Sequence, residues 1–262
     1  MNIINFKNIY VSYDLNPVLE DINLTIQNGE HWVILGSNGS GKSTLIKLIS
    51  NDLHPNRKYS FTKEIFGKDR WSIFDLKKKL GIITNDLHNY FSVHGSFLTA
   101  YEVVLSGYYS SIGIFKHQDF SKEQHQKALE SLEFLEILDI KDKKVSAMST
   151  GQLRRSIIGR ALIHNPEAFI LDEPTVGLDI KAQYSFIKLI QKLSKNTSII
   201  LVTHHLDEVF PEVSHVALVH NKTIYKKGLK NEVLTSSNLS KIFELDIELK
   251  EEQNRYTIGK IQ

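Results

Sequence analysis

The chain contains no cysteine. That removes disulfide frameworks, thiol nucleophiles and cysteine-bound metals together, and it suits a reducing compartment. Long hydrophobic runs are missing too. The longest apolar stretches, such as residues 32–35 and 199–202, hold a few residues each, against the roughly 18 or more that a membrane-spanning helix needs. Residues 1–7 lack the basic start, apolar core and small-residue cleavage site of a secretory signal, so a cytoplasmic protein is expected. Charge of one sign is not in excess: 32 Lys and Arg stand against 30 Asp and Glu, a net charge of +2. A broad basic face for nucleic acid is therefore not expected. Internal repeats, low-complexity tracts and flexible linkers are also lacking.

What is present is the composition of a globular protein, with 41% apolar and 24% charged residues over 262 positions. That length suffices for one large α/β domain, alone or with a small satellite. Ile22, Leu24 and Ile26 alternate with polar neighbours, and Asn28-Gly29 supplies a tight turn before the apolar run from His31 to Leu35. This predicts an antiparallel edge leading into a buried strand. Apolar runs at 168–171, 198–202 and 216–220 are separated by helical segments, the pattern of a mainly parallel sheet. Helical spacing marks residues 44–50, 97–105 and 122–138. The expected organisation is a core of residues 1–89 and 148–228 with an antiparallel β edge, a helical insertion over 90–147, and a charged tail over 229–262. Leu234, Leu239, Ile242, Phe243 and Leu245 predict a small helix in that tail, packed on the core.

Gly36-Ser37-Asn38-Gly39-Ser40-Gly41-Lys42-Ser43 fits G-x-x-x-x-G-K-[ST] between an apolar strand and a helix that takes in Thr44. Glycines let backbone N–H groups converge on phosphate oxygens, and the helix N-terminus adds partial positive charge. Lys42 would reach the β- and γ-phosphates, and the Ser43 hydroxyl would ligate Mg²⁺. Against this, a glycine-rich turn with an incidental lysine has no reason to sit between strand and helix. Further on, Phe169-Ile170-Leu171-Asp172-Glu173-Pro174 places two carboxylates where a strand leaves the sheet, the edge at which open α/β sheets bind ligands. An Asp-Glu pair there is by itself more often a cap or solvated turn. Beside a phosphate loop, Asp172 becomes the Mg²⁺ partner and Glu173 the group that orients or deprotonates the attacking water.

Met148-Ser149-Thr150-Gly151-Gln152-Leu153-Arg154-Arg155 opens a helix, with Ser149 a natural N-cap and Leu153, Ile157 and Ala161 on one face. Here the chain resembles the ABC ATPase family, whose signature LSGGQ sits shortly before the acidic strand, as it does here. The resemblance runs from about Tyr13 to Phe243. It implies a P-loop NTPase core with an N-terminal antiparallel β subdomain and a helical insertion. It also implies that Ser149, Thr150, Gly151 and Gln152 meet ATP held by a second subunit. By the same resemblance Tyr13 stacks on adenine, Asp179 in Val176-Gly177-Leu178-Asp179 belongs to the loop joining two active sites across a dimer, and His204 senses the γ-phosphate. Three departures stand out. Asn85 replaces the family's Gln and is one methylene shorter toward Mg²⁺ and water; Thr150 replaces the first signature glycine; His205 stands where an acidic residue often follows the switch histidine.

The segment 71–85 and residues 101–113 are similar to stand-alone ATP-binding proteins of the molybdate type, and 178–183 with the tail to iron-chelate importer ATPases. The resemblance thus implies an ATP-hydrolysing subunit that dimerises head to tail, as a homodimer, around two Mg-ATP and drives a separately encoded membrane permease from the inner membrane face. An alternative from another class is an ATP-gated switch acting on a ribosome or nucleic acid without a permease. Such relatives usually carry two ATPase domains or a long coiled-coil insertion, and this sequence has neither. A nucleotide-binding subunit that hydrolyses poorly is the third expectation.

Overall fold

A computed structural model describes residues 1–14, 16–252 and 255–261. Along the chain run β1 (Asn2–Tyr13), β2 (Asn16–Gln27), β3 (Trp32–Leu35), α1 (Lys42–Ile49), β4 (Thr62–Ile65), α2 (Ile73–Lys79), β5 (Leu80–Ile83), α3 (Asn85–His94), α4 (Ala100–Leu105), α5 (Lys122–Phe134) and α6 (Thr150–Leu162). Then follow β6 (Ala168–Asp172), α7 (Ile180–Ser194), β7 (Ser198–Thr203), β8 (His215–His220), β9 (Thr223–Leu229), α8 (Lys230–Val233), α9 (Ser236–Phe243), β10 (Ile247–Glu252) and β11 (Arg255–Ile261). They form two compact units, one of residues 1–73 and 193–262, the other of residues 74–192.

In the first unit β1 lies between β2 and β4, antiparallel to both. The alternation in β2 does what its period of two demands: Ile22, Leu24 and Ile26 are fully buried and face Ile9, Phe6 and Ile4 of β1. Gly29, at φ 87°, makes the turn before β3. Its N–H donates to Ser198 Oγ at 2.8 Å. β3 runs parallel to β7 on one side and β8 on the other, with β9 antiparallel along β8. A central parallel strand is covered on both faces, so all four β3 side chains are buried. Fully burying such a side chain stabilises the fold by roughly 1.5–3 kcal/mol.

The second unit pairs β5 with β6 in parallel, Leu80 opposite Ala168 and Ile83 opposite Leu171, among helices α2 to α7. Reciprocal capping boxes start three of them, at Thr99 and Glu102, Ser121 and Gln124, and Ser149 and Gln152. α4 and α6 approach closely at Gly159, where a Cβ would lie 2.9 Å from both Val104 Cγ2 and Leu135 Cδ1. The fold is α/β with a parallel central arrangement of strands and antiparallel β elements, as the sequence pattern predicts.

Three local expectations shift. The run 97–105 turns helical only at Ala100, because Thr99 caps it; Phe97 stays outside, 62% exposed. The run 122–138 ends its helix at Phe134, where Glu136 enters the left-handed region at φ 59° and the Ile137 N–H bonds back to Leu132 O. The tail holds two short helices and the β10–β11 hairpin, with Ile247 and Tyr256 buried under strands otherwise rich in Lys and Glu.

Candidate active site

In the first unit the phosphate loop leaves the end of β3 and enters α1. Gly41, the residue preceding the helix, has φ 115°, and Gly39 has φ 79°; a side chain at either would meet the left-handed penalty. Gly36 is closed in sterically, since a Cβ there would fall 2.3 Å from Val219 O. Lys42 is 6% exposed and donates from Nζ to the carbonyls of Gly36 at 2.8 Å and Ser37 at 2.9 Å. The ammonium is thus held across its own loop. Ser40 Oγ is buried, and among the described residues it finds no hydrogen-bond partner. A loop with an orphaned hydroxyl, a tethered cation and a helix N-terminus is suited to an oxyanion such as phosphate. Ser37 and Thr44 are half-buried; Asn38, Gly39 and Ser43 are exposed, which leaves the Ser43 hydroxyl open to a hard cation's coordination sphere.

The parallel register brings a second group to the same edge. Leu35, the residue before the loop, pairs with Thr203, the residue before His204. His204 is half-buried, its ring tilted by 39° against that of His205 with centroids 3.9 Å apart, and the His205 N–H is held by Thr203 Oγ1 at 2.9 Å. Tyr13 ends β1 opposite Asn16 and is 42% exposed. β2 reaches the loop as well, with Val18 O 3.3 Å and Leu19 Cδ2 2.8 Å from where a Cβ on Gly41 would lie. The β1–β2 pair therefore reaches the phosphate loop near the end that carries Tyr13.

The second unit carries the remaining groups. Asp172 ends β6, half-buried, and Glu173 follows at φ 44°, a conformation uncommon for a residue with a Cβ. The chain then turns twice, Val176 N–H to Glu173 O and Leu178 N–H to Thr175 O, passing Gly177 at φ 78°. Asp179 Oδ1 accepts the Ala182 N–H at 2.8 Å and so caps α7. Ser149 caps α6 as expected, its Oγ accepting from the Gln152 N–H at 3.3 Å. Gln152 Oε1 accepts in turn from the Ser149 N–H at 3.1 Å and Lys143 Nζ at 3.0 Å. The first N–H groups of α6, from Thr150 and Gly151, have no acceptor within their own helix, the usual state of a helix start. Gly151 is not sterically enforced, since a Cβ would make ordinary contact with Leu178 at 3.6 Å.

Asn85 is the first residue of α3, behind the cap at Thr84. Its Oδ1 accepts from Arg154 Nη2 at 2.7 Å, while Arg154 Nη1 donates to Glu173 O at 3.1 Å. Arg154 is 4% exposed. One turn along α3, His88 is pushed below the usual histidine range by burial and by the Arg154 charge, and its Nε2 is buried with no hydrogen-bond partner among the described residues. Motif reading named Asn85 and Glu173 but missed the arginine between them. The signal was available: Leu153, Ile157 and Ile158 form the buried stripe of α6, and Arg154 falls within it, a charge where an apolar residue belongs.

The family described as ABC transporter matches residues 19–176. An ABC transporter ATP-binding protein of Bacillus subtilis, YlmA, is 31% identical over 257 residues, covering 97% of this chain and 95% of that protein. ModF of Escherichia coli, an ABC transporter ATP-binding protein, is 35% identical over 216 residues, 80% of this chain and 42% of that one. Among solved structures, CbiO1 of Clostridium perfringens, part of the ABC transporter complex CbiONQ, superposes with a TM-score of 0.74 at 27% identity, covering 92% of this chain and 93% of that one. The chain belongs to the ABC transporter family, as its ATP-binding component, and is a P-loop ATPase. No helix among the described residues is long and apolar enough to cross a membrane.

Proposed function

We propose that this chain binds Mg-ATP, dimerises head to tail around two nucleotides, and by closing and reopening drives a separately encoded membrane permease. The observation that carries the reading is that the chain offers two helix N-termini of anion-binding kind, the phosphate loop at α1 and the Ser149-capped start of α6. One bound triphosphate is cradled by the first; the second is free to take the γ-phosphate held by another copy. Within this reading Lys42 binds the β- and γ-phosphates, Tyr13 stacks on the base, Glu173 activates water and His204 senses the γ-phosphate. Asp179 serves the dimer contact.

Ser43 offers a hydroxyl and Asp172 a carboxylate, each a hard oxygen ligand of the kind Mg²⁺ takes. The ion would neutralise charge on the β- and γ-phosphates. Ser43 and Asp172 would hold it, Glu173 would hold the water, and Lys42 would take up charge that develops on the phosphate being transferred. A permease partner is supported by the likeness to CbiO1, whose name places it in a transporter complex. The ribosome or nucleic-acid switch finds no such support.

The test is the Glu173→Gln variant, loaded with Mg-ATP, sized by sedimentation and then used to capture partners from its native membranes. The expected result is an ATP-dependent dimer that retains a polytopic membrane protein. A monomer in ATP, or capture of ribosomal or DNA-associated proteins without a permease, would contradict the proposal.

A further inference from the structure

We propose that Arg154 is a positioning residue for Glu173, and that Asn85 in this chain holds Arg154 instead of serving as a metal ligand. The inference rests on Glu173 being the water-activating group. Glu173 follows β6 in a left-handed backbone conformation at φ 44°, which a residue with a Cβ keeps only when its surroundings hold it there. One restraint is visible: the Arg154 guanidinium donates to the Glu173 carbonyl oxygen at 3.1 Å. Its other arm donates to Asn85 Oδ1 at 2.7 Å.

The two bonds use the fixed fork of a guanidinium, which a lysine ammonium cannot reproduce. Arg154 is 4% exposed among Leu153, Ile157 and Ile158, so its charge is shielded from water and acts on near neighbours. The Asn85 carboxamide oxygen therefore already faces a permanent cation. A divalent ion on that same oxygen would meet like charge at close range, so the shorter side chain at position 85 suits the arginine better than the metal. Asn85 is the first residue of α3, so α3 is tied to the signature helix at Arg154, and through Arg154 to the backbone of Glu173. Movement of α3 is then felt at the catalytic carboxylate.

The experiment is steady-state hydrolysis across ATP and Mg²⁺ concentrations for the wild type, Arg154→Met, Arg154→Lys, Asn85→Ala, the Arg154→Met/Asn85→Ala double variant and Glu173→Gln. Equilibrium ATP binding and thermal unfolding are followed alongside. Arg154→Met and Arg154→Lys are both expected to lower kcat about tenfold or more, the scale of a misplaced catalytic group, with ATP affinity held within about twofold. Asn85→Ala is expected to lower kcat without changing the Mg²⁺ half-saturation, and the double variant to be no slower than Arg154→Met. Wild-type kcat in Arg154→Met, restoration by Arg154→Lys, a raised Mg²⁺ requirement in Asn85→Ala, or losses that multiply in the double variant would each overturn the proposal. Should Arg154→Met fail to fold, Arg154→Lys and Asn85→Ala decide by the same readouts. Full turnover in Glu173→Gln defeats the underlying assignment; lost turnover there with full turnover in Arg154→Met defeats this inference alone.

Discussion

Around Gly36–Thr44 the groups that would meet phosphate are oriented by main chain: two glycines at positive φ, a lysine tethered to two loop carbonyls, and a strand register that brings Thr203 beside Leu35. Around Glu173 the orientation comes from side chains, through an arginine that reaches from α6 to the start of α3 and to the strand end. The first arrangement is set by local backbone chemistry within a few residues. The second needs residues separated by 69 and by 19 positions to arrive together. The difference decides how each site responds to substitution, and how readily each could be read from a string of letters.

Breaking the main-chain site should give the largest effect. Lys42→Ala removes the loop's own cation, and ATP turnover is expected to fall by roughly a hundredfold or more, as when a preorganised charge donor is lost; a coupled phosphate-release assay measures it. Gly36→Ala places a methyl 2.3 Å from Val219 O, so the strand must shift. The overpacking cost is about 1–3 kcal/mol, read as a fall in melting temperature of roughly 2–4 °C for each kcal/mol in a chain of this size. An unchanged melting temperature would mean that β8 gives way freely there.

A smaller effect is expected at the cap of the signature helix. Ser149→Ala removes the hydroxyl that accepts the Gln152 N–H and should cost about 1 kcal/mol, seen in thermal unfolding. A bulky residue at the same position should weaken ATP-driven dimerisation while monomer binding of ATP persists; equal loss of both would argue against a contact between subunits. Tyr13→Ala is expected to weaken ATP about fivefold, the low end of base stacking on an exposed ring, and Tyr13→Trp to preserve affinity by equilibrium titration.

The parts legible in the sequence were those with short-range causes. β3, β6, β7 and β8 announced themselves as apolar runs because strands covered on both faces leave no room for polar alternation. Ser149 was readable as a cap because its partner, Gln152, lies three residues away. β4 was not, since Thr62-Lys63-Glu64-Ile65 offers one apolar residue and owes its strand to the neighbouring β1. The β10–β11 hairpin hid behind its Lys and Glu for the same reason. The end of α5 was missed because apolar periodicity continues through Leu135 and Leu138 while Glu136 turns the backbone out of the helix. Arg154 was passed over at the site itself, since its partners come from α3 and the end of β6 and nothing near it in sequence names them.

We propose that Glu173 activates the attacking water and that Lys42 and the phosphate loop hold the nucleotide. Single-turnover hydrolysis by Glu173→Gln, with ATP affinity measured on the same preparation, tests it most directly. Retained ATP binding with turnover reduced by about a hundredfold or more is the predicted result for loss of the catalytic base; retained binding with turnover near that of the wild type would contradict it.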